Sequence, residues 1–335
     1  MELAVIAGPA CAETLVQGAE RRIRELSGNY NFSVIRCKNT DYADGHRKVQ
    51  ITRNVRGRDV YVLQPTNPPD INHMTLLKIL QAAALASARR ITAVIPYHDG
   101  LRQDTKDEPR VDVAASLYAQ QIEDAMVACP YRHVMVMHPH FKQIHSVYRI
   151  PCDVVYPTAL FRREGDAIVH GDYSNVVPLA PDVGSAAIAA HYRKRTKAPT
   201  YAVGDKKRTL ADVVVVNGIL GDVEGKVVFI FDDIADTAGS LKAVSLKAAE
   251  LGAEDQHAFI THGILAGKAI ENIRASKIKR LFITDTVMHP EGSIPGDLIT
   301  VVSVGELFGE AIWRNHTDAS IHEIDGMFDT VPEAQ

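Results

Sequence analysis

Apolar residues along this chain fall into short runs rich in valine and isoleucine, separated by amphipathic stretches. The runs are Leu3 to Ala7, Asp59 to Leu63, Ile91 to Pro96, His133 to Met137, Ser174 to Leu179, Val213 to Val216, Val227 to Phe231, His257 to Thr261, Leu281 to Thr284 and Leu298 to Val302. Runs of this length, with little polar alternation, predict strands buried on both faces of a parallel sheet. Met74 to Arg89, Asp112 to Val127, Ser185 to Lys194 and Ser240 to Leu251 instead repeat their apolar residues at helical spacing. Strands alternating with such helices predict an α/β fold with parallel sheets.

With 335 residues the chain is long enough for two domains of similar size. No Gly/Ser-rich linker divides it, but Tyr148 to Thr158 holds two prolines and separates two comparable α/β blocks. The expected division is residues 1–152, then 153–310, then an acidic, weakly periodic tail over 311–335 whose end is expected to be poorly ordered. There is no short repeat and no low-complexity block.

Composition narrows the function classes. Hydrophobic residues make up 46% of the chain and charged residues 23%, the ordinary range for a globular protein. Lysine and arginine number 37 against 41 acidic residues, a net charge of -4, so nothing calls for a nucleic-acid partner and any phosphate binding must be local. Cys11, Cys37, Cys129 and Cys152 are widely separated, which argues against a zinc ribbon or a secreted disulfide framework and fits a reducing cytoplasm. The first residues lack the pattern of a signal peptide, and no run nears the roughly 18 apolar residues that span a bilayer. A cytoplasmic location with no membrane partner is expected.

The segment with the most chemistry is Val227-Val-Phe-Ile-Phe-Asp-Asp-Ile-Ala-Asp-Thr-Ala-Gly-Ser-Leu241. An apolar strand runs into Asp232 and Asp233, then a small-residue turn, then a helix. Thr237, Gly239 and Ser240 offer N–H groups and hydroxyls to a phosphate at a helix N-terminus, where the dipole favours an anion. Asp232 and Asp233 beside that cradle can accept hydrogen bonds from vicinal ribose hydroxyls. The plainer reading is a helix capped by Asp236 or Thr237 with solvated acids. The complete strand-turn-helix context favours the first, and the segment resembles the ribose-phosphate loop of type I phosphoribosyltransferases, Asp232 to Asp233 with Asp236, Thr237, Ala238, Gly239 and Ser240.

Further segments resemble the ribose-phosphate pyrophosphokinase family in order along the chain. They are Val55-Arg-Gly-Arg-Asp-Val-Tyr-Val-Leu-Gln64, Ala88-Arg-Arg-Ile-Thr-Ala-Val-Ile-Pro-Tyr97 leading to Arg102-Gln-Asp104, Asn217 to Lys226, and Thr261-His-Gly263. The resemblance covers most of residues 40–290. It implies two type I phosphoribosyltransferase-like domains, each a mainly parallel sheet flanked by helices, and transfer of pyrophosphate from ATP to the anomeric hydroxyl of ribose 5-phosphate with AMP leaving. It assigns Arg102, Gln103 and Asp104 to ATP, with Tyr42 and Asp44 reaching a neighbouring subunit's adenine. Ala202-Val-Gly-Asp-Lys-Lys-Arg-Thr209 resembles the family's mobile catalytic loop, with Lys206 and Arg208 as its catalytic cations. Asp182 and His140 match residues that position Mg2+ on the ATP phosphates, directly or through waters. A homodimer, often built into hexamers, is implied as well.

Four departures set this chain apart. Tyr42-Ala-Asp-Gly-His46 keeps an aromatic and Asp44 but has His46 in place of a glutamate. His138 stands two residues before His140 where the family has an aspartate, removing a charge that favours the imidazolium. Arg110 to Ser116 carries Asp112 and Ser116 in place of proline and lysine, so weaker control by phosphate or ADP is expected. His98-Asp-Gly100 and the stretch after Asp182 also differ. Divergence at the rim leaves open a larger acceptor such as ADP-ribose, giving ADP-ribose pyrophosphate. A non-catalytic, synthetase-associated subunit and a phosphoribosyltransferase remain further alternatives. The retained Lys206, Arg208, Asp182 and His140 oppose the non-catalytic subunit, and the two-block organisation opposes the transferase.

Overall fold

The structure, a computed structural model, describes residues 1–28, 30–210 and 213–326. They form two compact units, one of Met1–Tyr156 with Thr286–Met288 and Ser303–Ile324, the other of Pro157–Asp285 with His289–Val302.

The first unit is built on β1 (Leu3–Ala7), β2 (Phe32–Asp41), β3 (Arg47–Ile51), β4 (Asp59–Leu63), β5 (Arg90–Ile95), β6 (Tyr131–Met137) and β7 (Cys152–Val155), with α1 (Glu13–Ser27), α2 (Ile71–Leu85) and α3 (Ala114–Ala125). Its strands lie in the order β3-β2-β1-β4-β5-β6-β7. Every residue of β1 and β4 is buried, as a strand covered on both faces requires. Leu76, Ile79, Leu80 and Ala83 of α2 close one face against Val60, Val62, Ile91 and Ala93.

The second unit repeats the plan. It holds α4 (Thr158–Val169), β8 (Val176–Ala180), α5 (Ala186–Thr196), β9 (Ala202–Leu210), β10 (Val213–Leu220), β11 (Val227–Ala235), α6 (Gly239–Glu250), β12 (Asp255–Gly263), α7 (Ala269–Arg274), β13 (Arg280–Thr284) and β14 (Ile299–Val302). The order is β10-β9-β8-β11-β12-β13-β14. One face packs Val228, Ile230 and Ile260 against Leu241, Val244 and Ala248 of α6. The alternate positions carry an aromatic layer in which Phe231 stacks on Phe259 at 5.1 Å and Tyr192 of α5 meets Phe231 at 4.2 Å.

Both sheets are parallel except at one edge, where β3 and β10 run antiparallel to their neighbours. β3 alternates partly and fully exposed positions, so it has no apolar run for the sequence pattern to reveal.

The last helix, α8 (Gly305–His316), belongs to the first unit, although the sequence pattern assigned its start to the second block and its end to a tail. Glycines explain the docking. A Cβ on Gly305 would meet the Leu15 carbonyl oxygen at 2.4 Å, and one on Gly309 the Ala19 carbonyl oxygen at 2.7 Å, so α8 lies backbone to backbone on α1. Beneath its end, Asp59 is fully buried and pairs with Arg90 and with His316 Nδ1.

Candidate active site

In the second unit the chain leaves β8 toward β9 on one side and returns to β11 on the other, so the carboxyl ends of β8 and β11 flank a switch in strand order. Crevices at such switches are where open α/β sheets bind ligands. β11 runs further than its apolar run, because Asp232, Ile234 and Ala235 continue the pairing with β12. Asp232 and Asp233 therefore sit inside the strand's last turn of pleat and not beyond it. Asp233 is buried, and its Oδ1 accepts the Ile234 N–H at 2.9 Å.

The loop after β8 brings Asp182 and Ser185 to the same place. Ser185 Oγ donates to Asp232 Oδ1 at 2.5 Å, and Asp182 Oδ1 accepts the Ser185 N–H at 3.3 Å. Enclosure by protein, and after it the charge of Asp233, hold the Asp232 carboxyl well above the usual carboxylate range; Ser185 opposes the shift and Asp182 adds to it. Three acids thus converge, and at Asp232 negative charge is poorly tolerated. That is the state of a site made for hydroxyl donors or a cation.

Asp236 and Thr237 follow, with Asn272 Nδ2 donating to the Thr237 carbonyl at 2.9 Å. Ala238 takes a left-handed conformation, φ 56°, and α6 begins at Gly239 with no side-chain cap. The plainer reading, a helix capped by Asp236 or Thr237, is therefore not what forms. A Cβ on Gly239 would find only Thr237 Oγ1, at 3.7 Å. The first turn of α6, with Gly239 and Ser240, is the kind of helix start that suits an anion.

The stretch expected to be a catalytic loop is strand β9, paired antiparallel with β10, with Lys206 opposite Val216 and Arg208 opposite Val214. The β-branched run of β10 supplies the strand propensity that turns a cationic loop into a ribbon. The side chains of Lys206 and Arg208 lie outside the described residues. β9 starts beside the acids, since Val203 pairs with Ala180 and a Cβ on Gly204 would meet the Pro181 carbonyl oxygen at 2.5 Å.

In the first unit, Arg102, Gln103 and Asp104 follow β5, and His140 follows the adjacent β6. Arg102 is exposed, while Gln103 Nε2 donates to the Thr105 carbonyl at 3.0 Å and to Asp107 at 3.1 Å. His140 is exposed, but His138 is buried with a positive φ of 35° and packs edge-on to Tyr156 at 5.3 Å. Tyr42 and Asp44 occupy the β2–β3 turn. Tyr42 is 48% exposed and stacks on His46, and Asp44 Oδ1 accepts the His46 N–H at 2.9 Å. β2 is separated from β5 by β1 and β4, roughly 14 Å at ordinary strand spacing. The first unit thus brings Arg102 and His140 to neighbouring strands and holds Tyr42 and Asp44 apart from them.

Among the described residues no group of three or more His, Cys, Asp or Glu could close around a metal ion. Magnesium still fits, because it keeps several waters and is held by one or two carboxylates with substrate phosphates. Ser185 was not singled out from sequence. A serine beginning a helix reads as an ordinary first-turn residue, and only the β8–β11 pairing aims it at Asp232.

Residues 15–125 match the N-terminal domain of ribose phosphate pyrophosphokinase, and residues 195–324 match the phosphoribosyl synthetase-associated domain. The chain is 35% identical to a ribose-phosphate pyrophosphokinase of Cereibacter sphaeroides over 93% of its length and 92% of the relative's. It is 38% identical to one of Thermosipho africanus, covering 85% and 88% of the two chains. The fold also matches a phosphoribosylpyrophosphate synthetase of Mycobacterium smegmatis with TM-score 0.81, 24% identity, and coverage of 95% of this chain and 100% of that one.

Proposed function

The chain belongs to the ribose-phosphate pyrophosphokinase family, and from that premise we propose that it transfers pyrophosphate from ATP to the anomeric hydroxyl of ribose 5-phosphate. The observation that carries this reading is the acid pair at the β8–β11 switch, with Asp182 and Ser185 against it and a helix start without a side-chain cap three residues beyond Asp236.

Asp232 and Asp233 accept hydrogen bonds from the vicinal ribose hydroxyls, and Asp236 borders them. Thr237, Ala238, Gly239 and Ser240 hold the 5-phosphate through backbone N–H groups and hydroxyls. The anomeric oxygen attacks the β-phosphorus of ATP in line. The bond from that phosphorus to the α–β bridging oxygen breaks, AMP leaves, and the hydroxyl proton is lost. Arg102 grips ATP phosphates with its planar fork, and Gln103 and Asp104 order the nucleotide beside it. Tyr42 stacks on adenine and Asp44 shapes its turn, as a second copy of the chain would require. Lys206 and Arg208 neutralise charge on the transferred group. Asp182 and His140 would position magnesium, directly or through waters, and the ion would supply neutralisation of phosphate charge. Positioning and electrostatics suffice, with no covalent enzyme intermediate.

Incubation with ATP, Mg2+ and either ribose 5-phosphate or ADP-ribose, read by mass spectrometry, tests the reading. Phosphoribosyl pyrophosphate and AMP are expected. Turnover of ADP-ribose with none of ribose 5-phosphate replaces the acceptor, and no AMP with either sugar removes the catalytic assignment. Light scattering checks the homodimer or hexamer, and a fully active monomer rules out a shared adenine site.

A further inference from the structure

The turn after β5 is anchored by a histidine that the reaction itself does not use. His98 is buried, with Nδ1 2.7 Å from the Asp99 carbonyl oxygen and Nε2 2.6 Å from the Tyr148 hydroxyl. A carbonyl oxygen only accepts, so Nδ1 carries the hydrogen. Burial pushes the imidazole down to about 4, leaving Nε2 as a bare acceptor, and burial likewise keeps the Tyr148 hydroxyl protonated. The bonds therefore have one sense, from Tyr148 O–H to Nε2 and from Nδ1–H to the Asp99 carbonyl.

Other bonds finish the turn. Thr66 Oγ1 accepts the Asp99 N–H at 2.8 Å and donates to the Tyr97 carbonyl at 3.1 Å. Asp99 Oδ1 accepts the Gly100 N–H at 2.9 Å. Gly100 has φ 79°, and a Cβ there would meet the Tyr118 ring at 2.9 Å. Gln103 N–H then reaches the Gly100 carbonyl at 3.1 Å, and Ala115 N–H the Gln103 carbonyl at 3.2 Å, tying the turn to α3. The titratable groups facing His98 and Tyr148 are His73, Cys152 and Glu123.

We propose that the His98–Tyr148 couple is a positioning device for ATP, holding the Asp99–Gly100 turn so that Arg102 and Gln103 are presented to the nucleotide in one geometry. This rests on the reading of Arg102 as an ATP contact. Arg102 is exposed at the end of the turn. The backbone of the turn carries it, and a loosened backbone must be re-ordered on binding.

The test is kcat and the two KM values for Tyr148→Phe, His98→Phe, His98→Asn and Arg102→Ala. Tyr148→Phe removes one buried donor, and a net hydrogen bond corresponds to a rise of about 2- to 10-fold in KM for ATP. His98→Phe raises it further. His98→Asn, whose amide can still donate near the Nδ1 position, recovers most of the loss. In the His98 and Tyr148 variants KM for ribose 5-phosphate and kcat stay within about twofold of wild type, a scatter of ~0.4 kcal/mol. Nitrogen-15 spectra of wild type show the His98 ring as the Nδ1–H tautomer across neutral pH, and Tyr148→Phe alters that signature. Should Arg102→Ala raise KM for ATP while Tyr148→Phe and His98→Phe leave it alone, or lower kcat only, the positioning role is overturned. An unchanged KM in Arg102→Ala overturns the ATP reading instead. If His98→Phe does not fold, Tyr148→Phe and the spectra decide.

Discussion

The two sheets share one strand order, yet their switch points are furnished in opposite ways. Between β1 and β4 the first sheet carries Gln64, fully buried, with Nε2 donating to the Pro65 carbonyl at 2.9 Å and Oε1 accepting the Ala10 N–H at 3.4 Å. Gly8 makes room for it, since a Cβ there would sit 1.9 Å from Gln64 Oε1. Between β8 and β11 the second sheet carries Asp182, Ser185, Asp232 and Asp233. One crevice is filled by a neutral, internally satisfied amide, while the other gathers three acids around Ser185. The fold supplies a crevice, and the residues decide whether it becomes a site. In the first unit Arg102 and His140 follow β5 and β6, beyond β4, while Tyr42 and Asp44 lie at the β2–β3 turn.

The sharpest way to break this contrast is to neutralise the second crevice. Two carboxylates hydrogen-bonded to sugar hydroxyls are worth roughly 3–6 kcal/mol together. Asp232→Asn with Asp233→Asn should therefore lower kcat/KM for ribose 5-phosphate by about 10²- to 10⁴-fold. Gln64→Leu at the matching place should cost about 1–3 kcal/mol in denaturant unfolding, with KM for the sugar unchanged. Full turnover in the double variant would mean the acids have no part in catalysis.

How much of this could be read from the sequence depends on what each residue does. The buried strands were legible because burial on both faces leaves apolar runs, as in Val60 to Leu63. The strand-turn-helix around Asp232 to Ser240 was legible because its chemistry is contiguous. The carboxyl end of β11 was read short, since Asp232 and Asp233 interrupt the apolar run while their backbones go on pairing. The ribbon of β9 was hidden by three cations whose strand state comes from β10. Ser185 and the return of α8 rest on contacts across 47 residues and across hundreds, which no local pattern encodes.

A second contrast concerns two acids, Asp59 buried and Asp232 partly buried. Burial would raise Asp59, but hydrogen bonds from His316 and Arg90 overcome it and hold its carboxyl below the ordinary 3.8. Asp59→Asn removes the buried partner of Arg90 and leaves it the exposed Asp318, a loss of about 3–5 kcal/mol at neutral pH. Because the folded-state pKa is depressed, the stabilisation is complete above 3.8 and disappears as pH falls through the folded value. Urea unfolding at pH 7 and at pH 3 should show the gap between variant and wild type closing in acid. A gap independent of pH would mean that packing of the α8 end, and not the charge pair, supplies the stability. Smaller again is Gly305→Ala, whose methyl would press on the Leu15 carbonyl and separate α8 from α1. Overpacking of this kind costs about 1–3 kcal/mol. Unfolding in denaturant measures it, and a neutral result would refute backbone contact there.

Asp232 should show the reverse sign with the smallest effect. Its folded-state pKa is raised, by enclosure first and by Asp233 second, so the native protein binds more protons than the unfolded chain between the ordinary value and the folded one. Stability is fully present below the ordinary carboxylate range and is lost as pH rises through the folded value. Asp232→Asn removes that loss and can still accept from Ser185 through its amide oxygen. The ligand-free variant should therefore melt higher than wild type at pH 7 to 8, by a few degrees if the gain is about 1 kcal/mol, and match it near pH 3.5. Thermal unfolding across that range reads the difference, and ribose 5-phosphate should narrow it by stabilising wild type more strongly. A variant less stable than wild type at neutral pH would show that Asp232 is a satisfied structural acid like Asp59, and the contrast between the two crevices would collapse.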